Sequence, residues 1–70
     1  MDSFSFEKGY NQVKRGELKI VKNEIMSALN LLSKQAFYAR LYGKVEPRMS
    51  EIAAIEQVFK NHGITEIWGK

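Results

Sequence analysis

The chain has 70 residues, enough for one domain with a small core, because a chain of this size buries only about 60% of its extended surface. It has no cysteine and a single histidine, which excludes a disulfide framework and a zinc site built from Cys and His ligands. No apolar run reaches the roughly 18–20 residues of a membrane span, and no signal-peptide pattern opens the chain. These features predict a small cytoplasmic binding module with no metal, no cofactor, no membrane segment and no catalytic residues.

Positive charge is concentrated in one stretch of the sequence. The whole chain has 11 Lys and Arg against 8 Asp and Glu, a net charge of +3. Residues 33–48 have the same excess by themselves, and their charged residues are Lys34, Arg40, Lys44 and Arg48 against Glu46. Such a stretch can bind phosphate, an acidic protein or a membrane surface, or it can be a solvated basic face.

Residues 1–16 are the least regular part of the sequence. Gly9 and Gly16 interrupt this segment, and its apolar residues are Phe4, Phe6, Tyr10 and Val13. The spacing allows either a short amphipathic helix or an irregular arm laid over the core.

An amphipathic helix is predicted from residue 17 onward. Apolar residues recur at three- and four-residue steps, as on one helix face, at Leu18, Val21, Ile25, Ala28, Leu29 and Leu32. We expect this helix to break near Asn30, because asparagine tolerates the left-handed conformation that ends many helices.

A second, shorter helix is predicted for residues 33–42. Ser33 is a good N-cap, because its hydroxyl can accept a hydrogen bond from the free amides of the first turn. Phe37 and Leu41 form the buried face, and Gly43 ends the helix. At 100° per residue, the side chains opposite that face are Gln35, Ala39 and Tyr42, with Lys34 and Tyr38 on one flank.

A third helix is predicted for residues 50–63, after a loop that contains Pro47. Ser50 is the expected N-cap, and Gly63 is the expected left-handed residue after the last turn. The apolar face of this helix is expected at Ile52, Ile55, Val58 and Phe59.

The last residues of this helix and residues 64–70 make up the C-terminal segment. His62 falls at the helix C-terminus and is interpreted as a capping or surface histidine. Ile64 can pack against Phe59 and close the helix. Residues 64–70 are either a brief strand, which can pair with a short N-terminal strand, or an extended tail, with Trp68 on the core.

The two helices within residues 17–43, joined by a short turn, have the pattern of a helix-turn-helix unit. In such units the second helix lies in the major groove, and its first residues meet base edges. Gln35 can bond adenine, Lys34 can bond guanine or phosphate, and Ala39 is small enough for close approach to the groove.

Tyrosine hydroxyls and the basic loop complete the predicted DNA-contacting set. The tyrosines suit phosphate or base contacts, and Lys44 and Arg48 can hold flanking phosphates. The full set is Ser33, Lys34, Gln35, Tyr38, Ala39, Tyr42, Lys44 and Arg48. Each of these residues also has an ordinary role in an amphipathic helix or a solvated surface.

Residues 32–47 resemble the recognition helix and following loop of lambda-repressor-like (Cro and Xre type) DNA-binding domains. In that family an apolar residue and a serine or threonine open the helix, a glycine ends it, and a basic loop leads to a proline. The matching residues here are Leu32, Ser33, Gly43, Lys44 and Pro47. Residues 21–32 resemble the preceding helix of the motif, and residues 50–64 resemble the closing helix.

The sequence departs from the family pattern at three places. Asn30 and an extra Leu31 stand where the family normally has glycine in the turn. Counting from Gly43, the second buried position of the recognition helix falls on Arg40, whereas the apolar residue is Leu41. The long first helix of the family has no counterpart in residues 1–16.

The resemblance implies an all-α, lambda-repressor-like bundle of about four helices with irregular or short-strand termini. It implies a non-enzymatic transcriptional regulator that binds double-stranded DNA as a homodimer, of the type frequent in phages and mobile elements. Its dimer surface is expected at the aromatic arm or at the tail. The alternative is a protein-interaction module, an adaptor or antitoxin-like partner, that binds through the same two segments: Phe4, Phe6 and Tyr10 in the arm, Ile67 and Trp68 in the tail.

Overall fold

A computed structural model describes residues 4–69, and within this range the chain is all-α, as predicted. The described elements are α1 (Glu7–Tyr10), a 3-10 turn (Arg15–Glu17), α2 (Leu18–Ala28), α3 (Lys34–Leu41) and α4 (Met49–Asn61). None of the residues from 4 to 69 forms a β-strand. The predicted arm 1–16 and tail 64–70 include residues 1–3 and 70, which lie outside the described residues.

The three longer helices all end in the same way. Each is followed by a residue with positive φ, namely Asn30 (56°), Gly43 (78°) and Gly63 (77°). The N–H of the next residue then donates to the carbonyl five residues earlier, at 2.9, 2.8 and 2.9 Å respectively. This is the Schellman arrangement, which satisfies carbonyls that the last helical turn leaves free. The predicted helix ends near Asn30, at Gly43 and at Gly63 are therefore confirmed.

The first long helix is shorter than its apolar pattern suggests. It ends at Ala28, and the left-handed Asn30 then turns the chain away from the helix axis. Leu32, which we expected on the apolar face, is consequently 99% exposed. Leu31 packs against the core instead.

The start of α4 also differs from the prediction. Ser50 is not the N-cap; α4 begins at Met49, and Arg48 occupies the N-cap position. The carboxylate of Glu51, three residues later, accepts the N–H of Arg48 at 3.1 Å. A glutamate at this position satisfies the backbone N–H of the N-cap residue, whereas the predicted serine cap would have accepted an N–H from the first helical turn.

The core takes side chains from the N-terminal arm, from α2, α3 and α4, and from the tail. Phe37 meets Phe6 edge to face with ring centroids 5.7 Å apart, and Phe6 lies 6.0 Å from Phe59. The buried apolar residues are Phe6, Val13, Val21, Ile25, Phe37, Leu41, Ile55, Phe59, Ile64 and Ile67. The N-terminal arm and the tail are therefore parts of the core and not appendages on it.

The two ends of the described chain are hydrogen-bonded to each other. Lys8 N–H donates to the Gly69 carbonyl, Gly9 N–H donates to the Ile67 carbonyl, and Gly69 N–H donates to the Ser5 carbonyl, at 2.9, 2.9 and 2.7 Å. The backbones approach so closely that a Cβ on Gly9 would lie 3.0 Å from the Cα of Ile67. The arm and the tail thus pair through backbone hydrogen bonds. The paired segments are the short helix α1 and the irregular tail, and not two strands.

Trp68 packs on the core, as predicted. Its ring meets Phe6 edge to face at 6.3 Å and Phe4 at 5.7 Å. Its indole N–H donates to Glu56 Oε2 of α4 at 2.9 Å, so the polar edge of the ring is also satisfied.

Candidate nucleic-acid interface

The start of α3 is set by its serine cap. Ser33 has extended backbone angles, and its hydroxyl accepts the N–H of Ala36 at 3.2 Å. The predicted N-cap is therefore confirmed. Because the Ser33 hydroxyl is engaged in the cap, its contribution to a binding surface is to hold the first turn of α3 in place.

One face of α3 is anchored in the core. Phe37 is fully buried and Leu41 is 3% exposed, which confirms the predicted buried face. Phe37 meets Tyr10 edge to face at 5.6 Å, and the buried Ser5 hydroxyl donates to the Leu41 carbonyl at 2.7 Å. These contacts leave α3 little freedom to rotate about its axis.

The other face of α3 is open to solvent. The side chains of Lys34, Gln35, Tyr38 and Tyr42 are exposed, the two tyrosines by 39% and 46%. Ala39 is only half-exposed, because the chain after Gly43 folds back and bonds to its carbonyl. The exposed arc is therefore centred on the two tyrosines and is displaced from the Gln35–Ala39–Tyr42 face that helical geometry alone predicted.

The two tyrosines form an ordered pair. The rings of Tyr38 and Tyr42 are nearly parallel, with an interplanar angle of 18° and centroids 6.3 Å apart. Lys22 of α2 places its Nζ 5.9 Å from the centroid of Tyr38, within the range of a cation–π contact. Burial raises the pKa of Tyr10, which packs against Phe37 of α3, and the phenols of Tyr38 and Tyr42 raise it further.

Arg40 lies between α3 and α4 and is not part of the open face. Its Nε is 3.5 Å from Glu51 Oε1, and its Nη1 donates to the Ala36 carbonyl at 3.4 Å. Both charged side chains are less than one-fifth exposed, at 19% and 17%. Leu41, and not Arg40, takes the buried position at which the sequence departs from the family pattern.

The loop after α3 adds positive charge beside the open face. Lys44 and Arg48 are exposed, and neither is in an ion pair within residues 4–69. With Arg40 paired to Glu51, the exposed charges of α3 and this loop are Lys34, Lys44 and Arg48 against Glu46. The surface thus keeps a positive excess after internal pairing is taken into account.

Most of the predicted residues lie on one continuous part of the surface, and one further residue, which the sequence did not indicate, lies beside them. Lys34, Gln35, Tyr38 and Tyr42 share one helix face, Lys44 and Arg48 follow in the adjoining loop, Ser33 caps the helix, and Ala39 is partly covered. Lys22 joins the face from α2. No periodic signal marks this lysine, because its place depends on how two helices pack.

The aromatic arm and the tail do not form an exposed cluster. Phe6 is fully buried and Ile67 is 3% exposed, while Phe4, Tyr10 and Trp68 are half-buried against the core. The dimer surface and the protein-binding surface that we expected at these segments are thus largely used within the single chain.

Two other features are absent from the described part of the chain. Residues 4–69 contain no group of three or more His, Cys, Asp or Glu side chains arranged to hold a metal ion. Over the same range, no helix combines the length and the apolar character that crossing a bilayer requires.

Comparison of the chain with protein-family models, with curated proteins and with solved structures finds no match.

Proposed function

We propose that this chain is a sequence-specific, non-enzymatic DNA-binding regulator that places α3 in the major groove. The observation that carries the proposal is the division of α3 into two faces. Phe37 and Leu41 anchor one face in the core, while Lys34, Gln35, Tyr38 and Tyr42 stand exposed on the other. A rigid helix with a polar, partly basic outer face is what reading base edges requires.

Each exposed group on α3 has a role in this proposal. Gln35 is a bidentate partner for adenine, and Lys34 is a donor to guanine or phosphate in the first helical turn. The tyrosine hydroxyls are donors to phosphate or base edges, and Lys22 of α2 adds a positive charge beside Tyr38. Lys44 and Arg48 extend the contact to flanking phosphates.

We further propose that two copies bind adjacent half-sites. One recognition helix contacts few base pairs, so a single copy has limited specificity. Two helices presented about 34–36 Å apart would read two successive major-groove segments on one side of the duplex.

The direct test is the affinity for duplex DNA, measured by fluorescence anisotropy with a mixed-sequence pool over a salt series. We expect micromolar or tighter binding at low salt and a log–log salt slope of several units, because a phosphate-tracking surface releases counterions on binding. Selection of a preferred sequence from the same pool would then test base reading.

A matched pair of variants controls for net charge. Lys44→Ala and Lys60→Ala each remove one exposed positive charge. Lys60 lies in the last turn of α4, about 18 Å of helix length away from the loop that holds Arg48. Lys44→Ala should weaken binding more than Lys60→Ala. Equal effects would mean that net charge, and not this surface, binds DNA.

No binding of the wild-type chain at low salt would overturn the proposal. The search would then turn to a protein partner. The exposed apolar side chains Leu32 (99%) and Met49 (84%) would be the first surface to test.

A further inference from the structure

His62 lies between two glutamates that belong to other parts of the chain. Its Nδ1 is 3.1 Å from Oε1 of Glu17, and its Nε2 is 2.7 Å from Oε1 of Glu24. Glu17 ends the 3-10 turn, Glu24 lies on α2, and His62 is the C-cap of α4. The imidazole is 17% exposed, and the carboxylates are 42% and 47% exposed.

The two contacts together require a particular protonation state. A neutral imidazole has one N–H and one lone pair, whereas the imidazolium ion has two N–H donors. Carboxylates accept hydrogen bonds and do not donate them. Only the protonated ring can therefore bond both glutamates, and on deprotonation one carboxylate faces a ring nitrogen that has no proton.

We propose that protonated His62 is a latch that fastens the C-terminal end of α4 to the 3-10 turn and α2, and that loss of its proton releases one of the two contacts. The latch goes beyond DNA binding, because none of its three residues belongs to the open face of α3. It stabilises the packing of α2 against α4, and α2 is the helix that precedes α3 in the chain.

Two carboxylates and one ammonium group lie around His62. They are Glu17 from the 3-10 turn, Glu24 from α2, and Lys14, which lines the same open cavity of about 720 Å³ as His62 and Glu17. The two carboxylates favour the protonated ring, whereas the positive charge of Lys14 does not. The hydrogen bond to Glu24 raises the pKa of His62 most, partial burial opposes this, and the bond to Glu17 and the charges of both glutamates raise it further. The net direction is upward from the usual 6.5.

The sign of the pH dependence follows from this direction. A histidine whose pKa is higher in the folded chain stabilises the fold fully at pH values below its unfolded pKa. That contribution is lost as the pH rises through the folded-state pKa. The chain should therefore lose stability from about pH 6.5 upward, over the range in which the folded imidazolium titrates.

The first experiment is an NMR titration of the imidazole in the full chain, where a single histidine gives an unambiguous signal. We expect a pKa above 6.5 that falls in Glu24→Gln and, less strongly, in Glu17→Gln. Glu66→Gln is the matched control, because Glu66 is an exposed glutamate paired with Lys8. A wild-type pKa at or below 6.5, or equal shifts in all three variants, would overturn the latch.

The second experiment is urea unfolding at pH 5.5 and pH 8.5 for the wild-type chain and His62→Gln. The wild-type unfolding constant, divided by that of His62→Gln, should rise between the two pH values by tenfold for each unit of pKa shift found by NMR. This ratio cancels the titration of the chain's amino terminus. If His62→Gln does not fold, Glu24→Gln takes its place with a smaller expected rise. An unchanged ratio would overturn the latch.

Discussion

Aromatic residues occur in two regions of this molecule, and the two regions are built differently. In the core, Phe6 meets Phe37, Phe59 and Trp68 at interplanar angles of 58° to 87°, with ring centroids 5.7 to 6.3 Å apart. All three phenylalanines are fully buried. On α3, the rings of Tyr38 and Tyr42 lie nearly parallel at 6.3 Å and remain about two-fifths exposed.

This difference separates stability from binding. Edge-to-face rings that exclude water contribute to the free energy of unfolding, whereas exposed rings with free hydroxyls contribute little to it and stay available to a ligand. The two kinds of ring are neighbours in sequence, since Phe37 and Tyr38 are consecutive residues of α3. Substitutions on one short helix can therefore test the two regions separately.

The largest effect is expected from Phe37→Ala. The ring is fully buried and contacts both Phe6 and Tyr10, so its loss should lower the free energy of unfolding by about 3–5 kcal/mol. For a domain with so small a core this can abolish folding. Thermal melting followed by circular dichroism measures the loss, and an unchanged melting temperature would show that α3 is not anchored through this face.

Gly9→Ala tests whether the arm and the tail belong to the core. The added methyl would meet the Ile67 backbone at 3.0 Å, and we expect a loss of about 1–3 kcal/mol of unfolding free energy. Gly16→Ala is the matched control, because nothing lies within 4 Å of its Cβ position. Equal urea midpoints for the two variants would mean that the ends of the chain are not joined as described.

Gln35→Ala tests whether the open face reads bases. We expect a loss of about 1–3 kcal/mol on the preferred duplex and a change in which duplexes are preferred. Competition binding with single-base variants of the selected site measures this. Equal weakening on all sequences would remove Gln35 from the base-reading residues.

Lys44→Ala tests the loop beside that face. It should weaken binding to every duplex similarly and lower the log–log salt slope by about one unit, because one phosphate contact is lost. An anisotropy salt series measures the slope, and a slope equal to that of the wild-type chain would remove Lys44 from the phosphate contacts.

Tyr38→Ala should lower the free energy of unfolding by less than Phe37→Ala does, by about 1–2 kcal/mol, because the ring meets Phe37 edge to face at 5.2 Å and has the cation–π contact with Lys22. Its effect on DNA affinity should exceed its effect on the melting temperature, the reverse of Phe37→Ala. A large drop in melting temperature would place Tyr38 with the core rings and not with the binding face.

Local features of the sequence predicted much of the fold. Ser33, Gly43 and Gly63 mark helix ends through their own backbone and capping chemistry, which depends on few neighbours. The pair Phe37 and Leu41 marks a buried face through helical periodicity. The predictions that were wrong, Ser50 as an N-cap and Leu32 on an apolar face, fell where a competing local signal was stronger: Glu51 in the first case and Asn30 in the second.

The candidate site was predictable in part. Helical geometry placed Lys34, Gln35, Tyr38 and Tyr42 away from the buried face. It did not indicate that Ala39 is partly covered, because the cover comes from the loop that folds back after Gly43.

The sequence by itself determined the all-α class, the C-terminal ends of the three longer helices and the anchored face of α3, because caps and periodicity act within a few residues. Only the tertiary structure decided the contacts between distant segments. His62 meets glutamates 45 and 38 residues away, Lys22 lies over Tyr38, and the arm is hydrogen-bonded to the tail. Such contacts depend on how separate helices pack together, and no spacing within one segment indicates which side chains will meet.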